Sequence, residues 1–337
     1  MGEGTDKKRS NEMAINFGFD MGMGALKLWS TPGGWQLVSQ VASNGHGHLS
    51  DGILGLKNRK RPMLISGEFG SFYVGDGAHE HGRPVENLDF ERLTGAPEMR
   101  VLLYSALAQY QAEHGPFDEP LNLMVGLPLQ MMTGDMAKDY QKAVKGWLKG
   151  KHQFEADGIT HTIEVEDVKQ TSQPVGALFD YVLDHRGQMI GERGSALLDE
   201  VGVISVGFNT VELLVVKERG ALERFTRGNT LGVRRLLELI NREGFFSLGE
   251  LDAKLRAGRL NGELKQAMPV WAREVNGEIE KVWGQSHRRF AKVLIVGGGA
   301  LLLRDALTVQ FAAKAWVPDD AVLSIARGLW KLSVMKR

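Results

Sequence analysis

Asp20, Gly22, Gly24 and Lys27 fall within one short segment, Asp20-Met21-Gly22-Met23-Gly24-Ala25-Leu26-Lys27, between apolar runs. A carboxylate, two residues without Cβ and an amine at this spacing suit the holding of a phosphate chain. Without Cβ atoms the backbone approaches an oxyanion closely, and successive N–H groups point into one concavity. Asp20 is then placed to hold a hydrated Mg²⁺, and Lys27 to reach a phosphate oxygen. A second segment, Ser205-Val206-Gly207-Phe208-Asn209-Thr210-Val211-Glu212, has the same outline about half a chain length later. A third element is Gly297-Gly298-Gly299, which follows the apolar run VLIV. Glycines between a buried strand and a helix put backbone N–H groups beside a ligand and let a flat ring lie on the chain. Taken singly each signal is weak, because hairpin turns and tight strand–helix packing ask for the same glycines. Neither a GxGxxG fingerprint nor a GxxxxGK[ST] loop is present.

The elements that must position these residues follow from periodicity and punctuation. Strands are predicted at 14–20, 24–30 and 35–42, with turns at Met21-Gly22-Met23 and at 31–34. Short strands follow at 62–67 and 71–75, a helix at 97–113 opened by Pro97, and a buried-type strand at 121–128. Thr133 reads as the N-cap of a helix over 133–149. Residues 151–168 read as a hairpin turning at Asp157-Gly158, and 176–184 as a helix. A further hairpin spans 201–220 with its turn at Gly207-Phe208-Asn209, and Asn229 is expected to cap a helix over 229–242. Helices are predicted at 248–257, 261–286, 300–311 and 320–332, and a strand at 291–299. Two strand–turn–strand units, each followed by helices and a buried strand, imply a duplication and two like domains facing each other across a cleft.

Composition narrows the classes. Of 337 residues, 41 are Lys or Arg and 41 are Asp or Glu, a formal net charge of zero that argues against a general nucleic-acid coat. Hydrophobic residues at 43% suffice for an ordinary core. The absence of cysteine removes disulfides, thiolate nucleophiles and Cys-based zinc sites. No run of 18 apolar residues predicts a membrane span, and the polar start lacks a secretory apolar core. Asp6 stands where myristoylation asks for Ser or Thr, so a flexible tail over 1–13 and a cytoplasmic protein are expected. His46, His48, His79 and His81 form two H-x-H pairs in Gly-rich segments; they read as solvated loop histidines without a convincing fourth ligand. The basic run KNRKRP at 57–62 reads as a solvated loop. Trp271, Trp283, Trp316 and Trp330 read as core or interface residues, those of 261–286 being candidates for a subunit contact.

In sequence order, the 20–27, 203–216 and 293–307 motifs resemble those of the actin-like ATPase superfamily: two phosphate loops and an adenosine motif. VKQTSQPVGALFDYVLD at 168–184 and VPDDAVLSIARGLWKL at 317–332 resemble its two connecting helices. The likeness spans about 14–332 and is closest to the ParM/StbA plasmid-segregation group. It implies an α/β fold of duplicated actin-like (ribonuclease H-like) domains, two lobes around a nucleotide cleft. Domain I would cover 14–185, with a small subdomain about 43–95, and domain II 186–337, with a helical subdomain about 245–290. It implies binding of ATP with Mg²⁺, slow hydrolysis, and self-assembly into polar filaments for plasmid segregation or intracellular positioning. A DNA-bound adaptor would be the partner, with neither direct nucleic-acid contact nor membrane contact expected.

The resemblance also assigns roles. Asp20 would organise the metal's water shell. Gly22, Met23, Gly24 and Lys27 would contact the β- and γ-phosphates, and Gly207, Phe208, Asn209 and Thr210 would close the other side. Gly297, Gly298 and Gly299 would line the adenosine. Gln173 would position the attacking water, as a neutral amide orients water without being a strong base. Ser205 is a departure, since the family usually carries Asp there to help hold the metal, and Glu212 stands where Asp is common, too distant to compensate. Two alternatives follow: a non-filamentous ATP-dependent scaffold or regulator with impaired hydrolysis, and a small-molecule kinase. The kinase needs a carboxylate base, for which 125–135 offers Asp135.

Overall fold

The structure, a computed structural model, describes residues 14–43 and 60–335. The expected tail, His46, His48 and the first half of the basic run lie outside the described residues.

The chain opens as a meander, β1 (Ile15–Asp20), β2 (Ala25–Ser30) and β3 (Gly33–Val38). Phe17 and Phe19 alternate on β1, fully buried, each worth about 1.5–3 kcal/mol relative to exposure. The outer part of this lobe carries β4 (Val41–Ser43), β5 (Met63–Gly67), β6 (Gly70–Val74) and β7 (Arg83–Pro84). Then come α1 (Pro97–His114), β8 (Leu121–Leu127), and helices α2 (Leu129–Met132) and α3 (Ala137–Leu148). A long hairpin, β9 (Gly150–Ala156) and β10 (Ile159–Ser172), leads into α4 (Gln173–Val182). Asp157 and Gly158 both have positive φ, as a two-residue primed turn requires. All these strands form one sheet in the order β3-β2-β1-β8-β10-β9-β5-β6-β4-β7. β8 runs parallel to both β1 and β10, and its apolar sequence fits a strand covered on both faces.

After a short helix α5 (Gly191–Ser195), the second lobe repeats the plan. It contains β11 (Val201–Val206), β12 (Val211–Lys217), β13 (Gly220–Ala221) and β14 (Arg227–Asn229). Helices α6 (Val233–Ile240), α7 (Leu248–Arg256) and α8 (Asn261–Trp283) precede β15 (Lys292–Val296). Helices α9 (Gly298–Leu302) and α10 (Arg304–Phe311), β16 (Ala315–Trp316) and α11 (Ser324–Val334) complete it. The sheet order is β13-β12-β11-β15-β16, with β14 also on β12.

The duplication is explicit in the register. In the first sheet Asp20 pairs with Lys27 across antiparallel β1 and β2; in the second, Ser205 pairs with Glu212 across β11 and β12. On the other side β1 lies parallel to β8, and β11 parallel to β15. The helices cross over between lobes. α4 packs on β11, β12 and β15 of the second sheet, whereas α11 packs on β1, β2 and β8 of the first. They cross at a close approach where Gly328 faces the Gly176 carbonyl. Asp180 of α4 accepts hydrogen bonds from Ser324, Arg327 and Lys331 of α11.

Several boundaries differ from expectation for local reasons. The strand expected over 35–42 breaks at Ser39, whose N–H and hydroxyl donate to the Gly24 and Gly22 carbonyls and so brace the first turn. Thr133 caps no helix start. Its hydroxyl donates to the Leu129 carbonyl at the end of α2, and left-handed Gly134 separates α2 from α3. Asn229 pairs with Val211 as part of β14, and Gly232 occupies the N-cap. The N–H groups of Val233 and Arg234 instead donate to the carbonyls of Gly207 and Phe208. The helix expected over 300–311 starts at Gly298 and breaks at Leu303, and the last helix starts at Ser324.

Candidate functional site

Between the lobes lies a cleft of about 270 Å³. It is lined by Asp20, Gly22, Met23, Gly24, Lys27, Gln173, Ser205, Gly207, Phe208, Asn209, Thr210, Gly297, Gly298 and Gly299. These fourteen are all the site residues expected from the sequence, brought together from both halves. Asp20 ends β1 almost fully buried. One of its carboxylate oxygens accepts from Lys27 Nζ at 3.0 Å, the other from Gln173 Nε2 at 2.7 Å. The Gln173 side chain thereby spends an N–H on Asp20, and its Oε1 is the atom left to accept from a water.

The glycines have distinct reasons. A Cβ on Gly22 would lie 2.2 Å from the Ala25 carbonyl oxygen, and one on Gly24 would lie 2.4 Å from Phe208 Cβ. The two turns thus touch across the cleft, Gly24 of one lobe against Phe208 of the other. Gly297 has a φ of +95°, which favours glycine. Gly298 meets nothing within 4 Å, so the space beside it belongs to the cleft. It opens α9, placing backbone N–H groups at the cleft wall.

The surroundings fit a magnesium nucleotide. No group of three His, Cys, Asp or Glu side chains able to cage a cation is present among the described residues. A buried carboxylate, Asp20, and a buried hydroxyl, Ser205, instead suit Mg²⁺, which keeps several of its waters. Lys27 is the cation at hand for phosphate oxygens. The open space at Gly298 belongs to the same cleft.

Other lining residues were not anticipated from the sequence, among them Asp252, Leu255 and Arg256 on α7. Arg256 Nε donates to Asp252 at 2.8 Å. A Ser247–Glu250 capping box marks where α7 begins, yet nothing local says that this helix folds over the cleft. Glu212, read as too distant to stand in for the missing carboxylate, lies outside the cleft lining. It is fully buried, and its Oε1 accepts from the Leu129 N–H of the other lobe at 2.6 Å. Burial, with the neighbouring Asp20 charge, pushes its pKa up to about 8 against the pull of that hydrogen bond.

Other candidates resolve differently. His79 is not a solvated loop residue: both ring nitrogens are buried without a hydrogen-bond partner, beside Gly249. His81 packs against Tyr73. Trp271 and Trp283 are fully enclosed in the second lobe, donating to the carbonyls of Leu231 and Phe225, which removes them from any subunit contact. Asp135 is exposed and does not line the cleft.

Comparison with known proteins agrees with this geometry. Residues 18–176 match the family model described as the N-terminal domain of actin-like proteins. Residues 203–309 match the C-terminal domain of the archaeal actin homologue, MreB-like. None of the curated proteins matches the sequence. Among solved structures, a ParM from a 15-stranded Clostridium botulinum filament is 18% identical with a TM-score of 0.74, covering 95% of this chain and 99% of that one. The apo ParM protein of pSK41 is also 18% identical, with a TM-score of 0.70 and coverage of 95% and 97%. An archaeal actin homologue in complex with ADP is 17% identical, with a TM-score of 0.69 and coverage of 95% and 99%. With two family models in series and a duplicated sheet around one cleft, the chain belongs to the actin-like proteins and has the fold of ParM.

Proposed function

We propose that this protein binds ATP with Mg²⁺ between its lobes and assembles into polar filaments. The filaments would segregate plasmid DNA or position other cargo in the cytoplasm through an adaptor bound to it. The observation that carries the reading is the convergence of three separate motifs, one from each phosphate turn and one from β15–α9, on a single cleft. The relative solved with ADP and the relative solved as a filament support it. No helix among the described residues is long and apolar enough to cross a membrane.

Asp20 and Ser205 would hold the metal's waters from opposite lobes, and Lys27 a phosphate oxygen. Bound Mg²⁺ would supply neutralisation of phosphate charge. Gln173, held by Asp20, would orient the attacking water through its carbonyl oxygen. An amide orients without taking a proton, so turnover would be slow. Ser205 favours a second reading, a non-filamentous ATP-dependent scaffold: it contributes no charge, and the nearest replacement, Glu212, is held protonated at neutral pH.

Electron microscopy and pelleting with Mg-ATP separate the two. Filaments with nucleotide, lost in Gly298→Ala, which fills the open space at the cleft wall, are expected. Binding without pelleting at any tested concentration would favour the scaffold. Phosphate release is expected to be slow and to rise in Ser205→Asp; release no faster in wild type than in Asp20→Ala would mean that binding occurs without turnover.

A further inference from the structure

We propose that the second lobe, at the end of its sheet opposite the cleft, binds the phosphate backbone of a nucleic acid directly and without regard to sequence. The inference stands apart from the nucleotide reading: it concerns another surface and needs no occupied cleft.

The sequence concentrates charge there. Lys281, Arg288, Arg289 and Lys292 fall within a stretch, 281–292, that contains no carboxylate, in a chain whose charges balance overall. Overall balance excludes a general coat, not a local patch. The fold adds to the stretch. Gly284–Arg289 forms a 3₁₀ turn between α8 and β15, while Arg224 follows β13 and Lys314 precedes β16. The pieces touch. Lys314 Nζ donates to the Arg288 carbonyl, and Lys292 Nζ to the Ala313 carbonyl at 3.2 Å. The guanidiniums of Arg224 and Arg289 both lie over the ring of Phe225, 4.2 and 5.4 Å from its centroid. Phe225 is buried and its carbonyl accepts from Trp283, so the ring beneath the two cations is fixed.

Five cations thus share one surface. Glu200 pairs with Arg289. Among the described residues no ion pair engages Arg224, Arg288, Lys292 or Lys314. Crowding like charges in this way is unfavourable in the free protein and favourable against an anion. The guanidinium fork also matches pairs of phosphate oxygens. A membrane surface or a protein partner asks for apolar side chains, and residues 221–225, 284–292 and 312–316 expose no large one. A phosphate polymer asks for charge alone. The patch leaves the cleft free, because β15 starts at Lys292 and ends at Val296, next to Gly297 of the cleft.

Fluorescence anisotropy of a short fluorescein-labelled DNA duplex with the full chain tests the proposal. Binding at low salt is expected to weaken roughly a hundredfold between about 50 and about 200 mM salt, as about four phosphate contacts give. Two duplexes of unrelated sequence should bind within about threefold of each other. Arg224→Gln/Arg288→Gln/Lys314→Gln should weaken binding more than about tenfold and flatten the salt slope by roughly three units. Lys138→Gln/Lys142→Gln/Lys149→Gln, which removes the same charge from exposed positions on and just after α3 of the first lobe, should do neither. Arg288→Gln alone should lower the slope by about one unit. The Arg288 side chain makes no hydrogen bond or ion pair to another described residue, so this variant decides the matter even if the triple one misfolds. No duplex binding at low salt would overturn the inference, as would equal losses in both triple variants, which would mean diffuse attraction. Phosphatidylglycerol vesicles bound in place of the duplex would assign the patch to a membrane. Pelleting with Mg-ATP lost in the patch variant, with no duplex bound by wild type, would assign it to contact between copies. Either result overturns the proposal.

Discussion

Glu212 sits fully buried near Asp20, with one oxygen on the Leu129 N–H and the other without a hydrogen-bond partner. The folded protein holds its proton up to about pH 8, whereas the unfolded chain releases it near the ordinary value of 4.5. Between those values the folded state binds one more proton, so stability falls as pH rises from about 4.5 to about 8 and is level above. Glu212→Gln keeps an acceptor for Leu129 and removes the titration. Denaturant melts at pH 9 are expected to show a gain of about 2–4 kcal/mol, with a flatter profile from pH 5 to 8. A variant less stable than wild type at pH 9 would mean that the charged form is held better than the geometry indicates. The glycines, Asp20 and Lys27 were legible from the sequence because their chemistry is local. The buried role of Glu212 was not, because its partner is set by how the second lobe docks 83 positions away from Leu129.

At the scale of elements, the α4–α11 crossing carries a buried ion cluster. Burial pushes the Asp180 pKa up, but the Arg327 and Lys331 hydrogen bonds and charges outweigh it and hold it below the ordinary value. Its contribution to stability is present above the unfolded pKa, 3.8, and is lost as pH falls through the lower folded value. Asp180→Asn leaves Arg327 and nearly fully buried Lys331 without their counter-charge. A loss of about 3–5 kcal/mol at pH 7 is expected in chemical denaturation, shrinking toward acid pH. A loss below about 1 kcal/mol would mean that the cluster is a solvated surface pair in effect. Both helices were anticipated, α4 within a few residues, since their apolar spacing is strong. Their exchange of lobes was not: which sheet a helix covers depends on surfaces distant in sequence. The misplaced caps have different causes: Thr133 bonds back to Leu129 four residues earlier at the end of α2, and Asn229 is taken into strand pairing with Val211.

For the whole molecule, α11 matters most through the sheet that it covers. A Cβ on Gly18 would lie 1.9 Å from the Ala326 carbonyl oxygen, so β1 and α11 meet backbone to backbone. Deleting residues 324 onward should therefore unfold the first lobe rather than the second. Hydrogen exchange is expected to show lost protection in β1 and β8, with β11 and β15 less affected; the reverse pattern would contradict the packing. The same docking bears on biosynthesis. While the ribosome is still making the second half, the nascent first lobe lacks one of its walls, and its central strands stay bare on that side. The two halves are thus committed to maturing together, late, and a chaperone shielding that bare face would be most useful just before translation reaches Ser324.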